Sequence, residues 1–308
     1  MFAFILRRLW QMLPTMAGVV VLVFVLFNWV GGDPAYILAG KMSNAEAIAN
    51  IRKQLGVDQP YWVQLGIFVR QIVTFDFGNS WSTGESVAHI ITTRLGPSLT
   101  VLVPLTILET FFGIALALAI AFVRGSLTDR AVMIACTVGM SISILVYIIV
   151  FQYGFAYKLG LFPVQGWGEH FSENLLRYAT LPILIGLAVS IAPTLRLFRS
   201  FVLDEVGADY VRTARAKGLG ERRIMWVHVL RNAAIPITTI SGLTIASLIA
   251  VSSIVETAFS INGLGSYLVQ AALSKDFAVV QGISLVLVAI FVVTNTIVDL
   301  LYALLDPR

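Results

Sequence analysis

Six long apolar segments dominate this sequence and constrain its fold more than any other feature. A helix needs about 20 apolar residues to cross the hydrocarbon core, because its backbone polar groups must all be paired within the segment. Only 12% of the residues are charged, whereas roughly 25% is typical of a water-soluble domain. We therefore predict an all-α integral membrane protein with about six transmembrane helices. The predicted spans are residues 10–30, 98–123, 131–153, 179–195, 237–255 and 278–304.

Lysine and arginine residues fall unevenly on the two sides of this predicted bundle. With the N-terminus inside, the cytoplasmic side holds thirteen of the 21 basic residues. They are Arg7, Arg8, Arg124, Arg130, Arg196, Arg199, Arg212, Arg215, Lys217, Arg222, Arg223, Arg231 and Arg308. Basic connections stay in the cytoplasm, so we predict a multi-pass protein with both termini cytoplasmic. The dispersal of these residues over several loops, without interleaved aromatic residues, argues against nucleic acid as a partner.

The segment 31–97 is the one large predicted region on the outer side, and it carries turn and cap signals typical of soluble domains. Ser43 and Glu46 form a capping box for a short amphipathic helix, which Gly56 would end. A turn at Pro60 would then lead into a second helix. The sequence therefore predicts a small helical extracytoplasmic cap that lies against the membrane surface.

The connection between the fourth and fifth predicted spans, residues 200–236, carries the clearest functional signal. Asp209 would open a short helix with Arg215 and Lys217 in its last turn, an order that suits the helix dipole. Gly218 would then cap this helix in the left-handed conformation. The sequence thus predicts a short helix with its own end signals in a cytoplasmic loop.

The two sides of this predicted helix differ in character. Tyr210, Val211 and Ala214 share one side, and the basic residues occupy the others. We predict that the helix seats itself in the groove of a partner protein. A second helix, from about residue 221 to residue 232, would follow before Pro236 begins the next span.

This loop contains DYVRTARAKGL at 209–219, followed by HVLRNA at 228–233 and by Pro236. These strings resemble the coupling loop of permeases of the dipeptide/oligopeptide ABC importer family. Other motifs of that family follow in order along nearly the whole chain. They are LRR at 6–8, GDP at 32–34, LGVDQP at 55–60, DFGNS at 76–80, VET at 255–257, GLG at 263–265 and DPR at 306–308.

The resemblance implies a type I importer (MetI-like) fold and a place in the bacterial inner membrane. One permease domain would span residues 1–308, with a first helix at 1–30, the insertion at 31–97 and a five-helix core at 98–304. The implied partners are a second homologous permease subunit, two ATP-binding-cassette ATPase subunits and an extracytoplasmic solute-binding protein. The resemblance implies that ATP and Mg²⁺ bind to the ATPase subunits, so no cofactor is expected in this chain. The implied ATPase-coupling residues are Asp209, Tyr210, Val211, Arg212, Thr213, Ala214, Arg215, Ala216, Lys217, Gly218 and Leu219.

One departure from the broader importer pattern falls within the coupling loop itself. The sequence has Arg212-Thr213-Ala214 where the wider signature has Glu-Ala-Ala. A glutamate contact to the ATPase would therefore be absent from this position or supplied from elsewhere.

The residues expected of an enzyme are missing from the sequence. No lysine is followed by serine or threonine, which excludes a phosphate-binding P-loop. The three histidines are too scattered for a metal site, and Cys136 is the only cysteine. We expect a non-catalytic subunit. Glu109 and Glu256 lie within or at the end of predicted spans and are candidate pore or gate residues, although Glu109 could equally form a buried hydrogen bond between helices.

Two questions stay open from the sequence. Hydropathy alone also fits a secondary transporter or channel that works without an ATPase, and the long basic loop is the feature that favours the importer. The family resemblance covers carriers of short peptides as well as of nickel chelates, glutathione or opines. The transported solute, and whether the permease pair is homomeric or heteromeric, therefore remain alternatives.

Overall fold

A computed structural model describes residues 2–29, 34–39 and 44–305 of this chain. Contacts divide the chain into two compact units. The first unit comprises Met1–Gly96 and Asn262–Val293, and the second comprises Pro97–Ile261 and Thr294–Arg308. Several residues used for the sequence predictions lie outside the described residues. They are Val30 at the end of the first predicted span, Gly32 and Asp33, the capping residue Ser43, and the C-terminal motif with Arg308.

The first unit holds the N-terminal helices together with two helices from the end of the chain. They are α1 (Phe2–Trp29), α2 (Pro34–Ala39), α3 (Ala45–Leu55), α4 (Tyr61–Thr74), the start of α5 (Val87–Phe122), α13 (Leu264–Leu273) and most of α14 (Phe277–Leu305). The predicted helix in the cap is confirmed as α3. Gly56 follows it with a left-handed φ of 69°, a conformation that glycine adopts without a steric cost. The predicted second cap helix is confirmed as α4, directly after Pro60.

The second unit contains the remaining α-helices and three π-helical segments. Its α-helices are the rest of α5, α6 (Leu127–Met140), α7 (Ile144–Phe151), α8 (Phe171–Glu173), α9 (Thr180–Val206), α10 (Asp209–Ala216), α11 (Glu221–Arg223), α12 (Leu230–Ala258) and the end of α14. The π-helical segments are Gln152–Lys158, Asn174–Tyr178 and Ile224–Val229. Two buried apolar clusters, one around Phe198 and one around Phe259, hold these helices together.

Five helices within the described residues are long and apolar enough to cross a membrane. They cover Trp10–Asn28, Val87–Phe122, Thr180–Val206, Glu221–Ala258 and Phe277–Val298. A sixth span is reached if the bent pair Leu127–Met140 and Ile144–Lys158 is counted as one. The prediction of an all-α membrane protein with about six spans is therefore confirmed.

The third predicted span differs from expectation because it is broken in the middle. α6 and α7 meet at an angle of 98°. Ser141 ends α6, and the Ser143 side chain accepts a hydrogen bond from the backbone N–H of Leu145 at the start of α7. A serine in this position satisfies a backbone donor that a continuous helix would have paired with a carbonyl, so the break is capped.

The fourth and fifth spans continue well beyond the apolar residues that predicted them. α9 runs on to Val206, and an unbroken helical segment extends from Glu221 to Ala258 with Pro236 inside it. The predicted loop at 200–236 is therefore mostly helix, and only the short stretch from Gly207 to Gly220 connects the two long helices. Backbone hydrogen bonding within a helix does not stop where side chains become polar, so the edge of an apolar run did not mark the end of either helix.

Candidate functional site

α10 lies between the ends of the two long helices in the second unit, where the sequence predicted it. The turn at Gly207 and the extended residue Ala208 separate it from α9. Asp209 stands in the first turn of the helix and Arg215 in the last, as the helix dipole favours. The predicted short helix with a basic last turn is confirmed.

The C-terminal end of α10 is a complete Schellman cap. Gly218 has a φ of 79°, and its N–H donates to the carbonyl of Arg215 at 2.9 Å. The next N–H, of Leu219, donates to the carbonyl of Ala214 at 3.3 Å. Leu219 also packs against the buried cluster around Phe198, which supplies the apolar contact that accompanies this motif. The predicted left-handed cap at Gly218 is therefore confirmed.

The apolar side of α10 packs against its own chain. Val211 is fully buried and Ala214 is 6% exposed. Both belong to a cluster that includes residues of α9 and of the following helical segment, namely Phe198, Val202, Ile224, Met225 and Val229. Val211 and Ala214 therefore pack within this chain, and the predicted seating of α10 in a partner's groove stays a prediction.

The opposite side of α10 is charged and exposed. Arg212, Arg215 and Lys217 are all exposed. The guanidinium of Arg215 donates to both carboxylate oxygens of Glu221, at 2.7 and 3.3 Å. Arg212 is 3.5 Å from the carboxylate of Asp209, one turn earlier. The exposed side of the helix therefore presents cations whose orientation is partly fixed by neighbouring carboxylates.

Tyr210 ties α10 to the end of α9. Its hydroxyl donates to Oε2 of Glu205 at 2.5 Å. Burial of the phenol, together with this hydrogen bond to a carboxylate, raises the pKa of Tyr210 to about 12. The phenol is thus held in its neutral, hydrogen-bond-donating form at any physiological pH.

Glu109 and Glu256, the two candidate pore or gate residues, are both buried in the second unit. Glu109 accepts a hydrogen bond from the hydroxyl of Thr194 on α9, at 2.5 Å. Glu256 accepts hydrogen bonds from Ser98 at 2.7 Å and from Ser252 at 3.0 Å. Each carboxyl group links α5 to another long helix, so a movement between these helices would change its hydrogen bonds. Their part in a pore or gate stays a prediction.

A bidentate ion pair between α6 and α9 was not predicted from the sequence. Arg199 donates to Asp129 through Nε at 2.9 Å and through Nη2 at 2.7 Å. The same carboxylate accepts from the N–H of Gly125, and Ser126 caps the start of α6 by accepting from the N–H of Asp129. The capping serine three residues before Asp129 was visible in the sequence. The pairing with Arg199 was not, since the partners lie 70 positions apart.

A buried carboxylate, Asp276, also holds a turn in the first unit. Asp276 accepts hydrogen bonds from the hydroxyls of Ser80 at 2.5 Å and Ser82 at 2.9 Å, and from the N–H of Ser82 at 3.2 Å. Burial by itself opposes ionisation of this carboxyl, but the hydrogen bonds from Ser80, the Trp81 and Ser82 backbone and Ser82 outweigh it. The pKa of Asp276 therefore lies below its usual value.

Two family models match this chain and together cover nearly all of it. Residues 110–308 match the model described as "binding-protein-dependent transport system inner membrane component". Residues 1–102 match the model for the N-terminal part of the same membrane components.

Curated relatives match over the full length of the chain. A peptide transport system permease protein of Brucella abortus is 36% identical over 310 residues, which cover 100% of this chain and 99% of the relative. A glutathione transport system permease protein of Salmonella typhi is 34% identical over 307 residues, covering 100% and 98%. A dipeptide transport system permease protein of Alkalihalophilus pseudofirmus is 30% identical over 330 residues, covering 100% and 99%. The chain therefore belongs to the family of binding-protein-dependent transport system inner membrane components, and it is a permease subunit of an ABC importer in the inner membrane.

Proposed function

We propose that this permease imports short peptides or peptide-like solutes, and that α10 with its cap, Asp209–Leu219, is its contact with the ATPase subunits. Relatives named for peptide, dipeptide and glutathione transport support the solute class, since all three are amide-linked chains of amino acids. The observation that carries the ATPase contact is the division of α10 into a buried apolar side and an exposed cationic side.

The cationic side of α10 is the surface offered to the ATPase. Arg212 and Lys217 are exposed on it, together with Thr213 and Ala216. A carboxylate-bearing groove on the ATPase would complement these charges. Arg212 stands where the wider importer signature has glutamate, so the matching groove should differ in charge from that of importers which carry the glutamate.

The buried side of α10 supports transmission of a movement into the membrane. Val211 packs against Ile224 and Met225, which lie in the unbroken helical segment that continues through α12. A push on α10 therefore acts on the end of that long helix through close-packed side chains, which transmit displacement because such interiors are hardly compressible.

The proposed orientation places both termini and α10 in the cytoplasm, where ATP and Mg²⁺ would be bound by the ATPase subunits. The concentration of basic residues near α10 supports this orientation, because basic segments tend to stay in the cytoplasm. A second permease subunit would complete the translocation pathway, and a solute-binding protein would deliver the solute from the other side.

Substitution of Gly218 tests the ATPase contact. A Cβ at Gly218 meets no atom within 4 Å, so a substitution there perturbs only the left-handed backbone. Gly218→Val should strain the cap by about 1–2 kcal/mol and misalign α10, whereas Gly218→Asn tolerates this conformation and serves as the matched control. We expect Gly218→Val to lower the amount of ATPase that copurifies with the permease, and Gly218→Asn to retain it. Normal ATPase attachment and uptake by Gly218→Val would refute the contact.

Uptake competition tests the solute class separately. Cells that depend on this importer should take up a radiolabelled dipeptide, and unlabelled di- and tripeptides should compete with it. Uptake that responds to a nickel chelate or an opine and not to any peptide would reject the peptide assignment while leaving the ATPase contact untouched.

A further inference from the structure

α4 is too short to cross a membrane, yet it is apolar around much of its circumference. Its 14 residues reach only about 21 Å. Leu65, Phe68 and Ile72 lie on the stripe that faces the rest of the first unit. A second apolar stripe, Trp62, Gly66, Val69 and Val73, lies beside it at helical spacing.

The packed stripe places the middle of α4 beside the C-terminal half of α1. Phe68 contacts Phe24 of α1, with ring centroids 5.9 Å apart, and shares a buried cluster with Val20 of α1 and Leu285 of α14. α1 ends at Trp29, so Phe24 and Val20 lie about 8 and 14 Å before that end. Half of the hydrocarbon core measures about 15 Å. The middle of α4 therefore lies beside residues that are well inside a membrane-spanning helix.

The second stripe of α4 is exposed in the first unit. Trp62 is 77% exposed, Val69 43% and Val73 80%. On the opposite side of the helix, about half a turn away, Gln64 and Gln71 line a cavity of about 440 Å³. The only charged residue of α4, Arg70, is exposed at the border between these two sides.

The neighbouring helix α3 has the opposite character at its exposed positions. Glu46, Asn50 and Lys53 are exposed there, as expected of a helix that faces water. The exposed surface of α3 is therefore polar, whereas the exposed stripe of α4 is apolar.

We propose that α4 is embedded in the leaflet at the C-terminal end of α1, and that Trp62, Val69 and Val73 contact lipid acyl chains. The exposed stripe continues the lipid-facing surface of α1, where Leu22 and Leu26 are also exposed. Gln64 and Gln71 then point away from the hydrocarbon, and Arg70 reaches the headgroups by extending its side chain. In this proposal α4 enters one leaflet of the membrane, whereas the sequence predicted a cap that lies against the membrane surface.

Quenching by brominated lipid tests this contact in the assembled importer. The natural cysteine Cys136 is first replaced by alanine, and Val69→Cys is labelled with bimane before reconstitution in phosphatidylcholine with or without bromine on its acyl chains. Because the bromines lie in the hydrocarbon core, we expect fluorescence from position 69 to fall about twofold or more. Asn50→Cys on α3 is the matched control and should be unaffected.

Two other results of the quenching experiment would overturn the proposal. A label at position 69 that is not quenched, while a water-soluble quencher reaches it as readily as position 50, would place the stripe in water. A label that neither quencher reaches would mean that a protein partner covers the stripe. Should Val69→Cys fail to assemble, Val73→Cys provides the same test at a more exposed position of the same stripe.

Discussion

The ion pair between Asp129 and Arg199 should contribute strongly to stability, and Asp129→Asn tests this. The substitution removes one charge from a bidentate pair whose side chains are only 7% and 19% exposed. Loss of one partner from a buried pair costs about 3–5 kcal/mol, because the other charge is left buried and unpaired. Since the pair is only partly buried, we expect about 1–3 kcal/mol, or a fall in Tm of about 2–6 °C for a chain of this size.

Thermal unfolding of the purified importer, followed by tryptophan fluorescence, measures this effect in a double-mutant cycle. Arg199→Met should destabilise the protein by a similar amount. The double variant should lose about 1–2 kcal/mol less than the sum of the two single losses, because neither charge is then unpaired. Arg196→Met is the matched control, because Arg196 is an exposed arginine three residues earlier on the same helix, and should cost under about 1 kcal/mol. Strict additivity of the two single changes would refute the reasoning, since it would mean that the two groups do not interact energetically.

Two further predictions concern the other buried carboxyl groups. Glu109→Gln should keep an acceptor for the Thr194 hydroxyl and leave Tm nearly unchanged, whereas Glu109→Leu should cost about 1–3 kcal/mol; equal losses in thermal unfolding would contradict the role of this hydrogen bond. Because the pKa of Asp276 is lowered in the folded protein, the stability that Asp276 contributes is present above the unfolded pKa of about 4 and is lost as the pH falls through the folded value. Asp276→Asn should therefore reduce the drop in Tm between pH 7 and acid, and an unchanged drop would argue against this linkage.

Local signals predicted the candidate site well. Asp209, the basic last turn and Gly218 all act on residues within a few positions of themselves, so helix, cap and exposed side could be inferred from the sequence. The same holds for Gly56 at the end of α3. Features of this kind depend on backbone hydrogen bonds and φ angles that neighbouring residues determine.

Long-range features could not be inferred in the same way. The arginines Arg196 and Arg199 suggested that a span ends, but they mark the edge of an apolar run within a helix that continues to Val206. The pairing of Arg199 with Asp129, and the burial of Val211 against Ile224, depend on which helices become neighbours. No pattern within a single segment contains that information.

The unbroken helical segment from Glu221 to Ala258 has a mechanical consequence. Its 38 residues form a rod of about 57 Å. If such a rod tilts by about 5° around its midpoint, its two tips travel about 2.5 Å in opposite directions. That stroke is comparable to the length of a hydrogen bond, so a small rocking at the tip beside α10 would suffice to break or remake the bonds of Glu256 near the other tip.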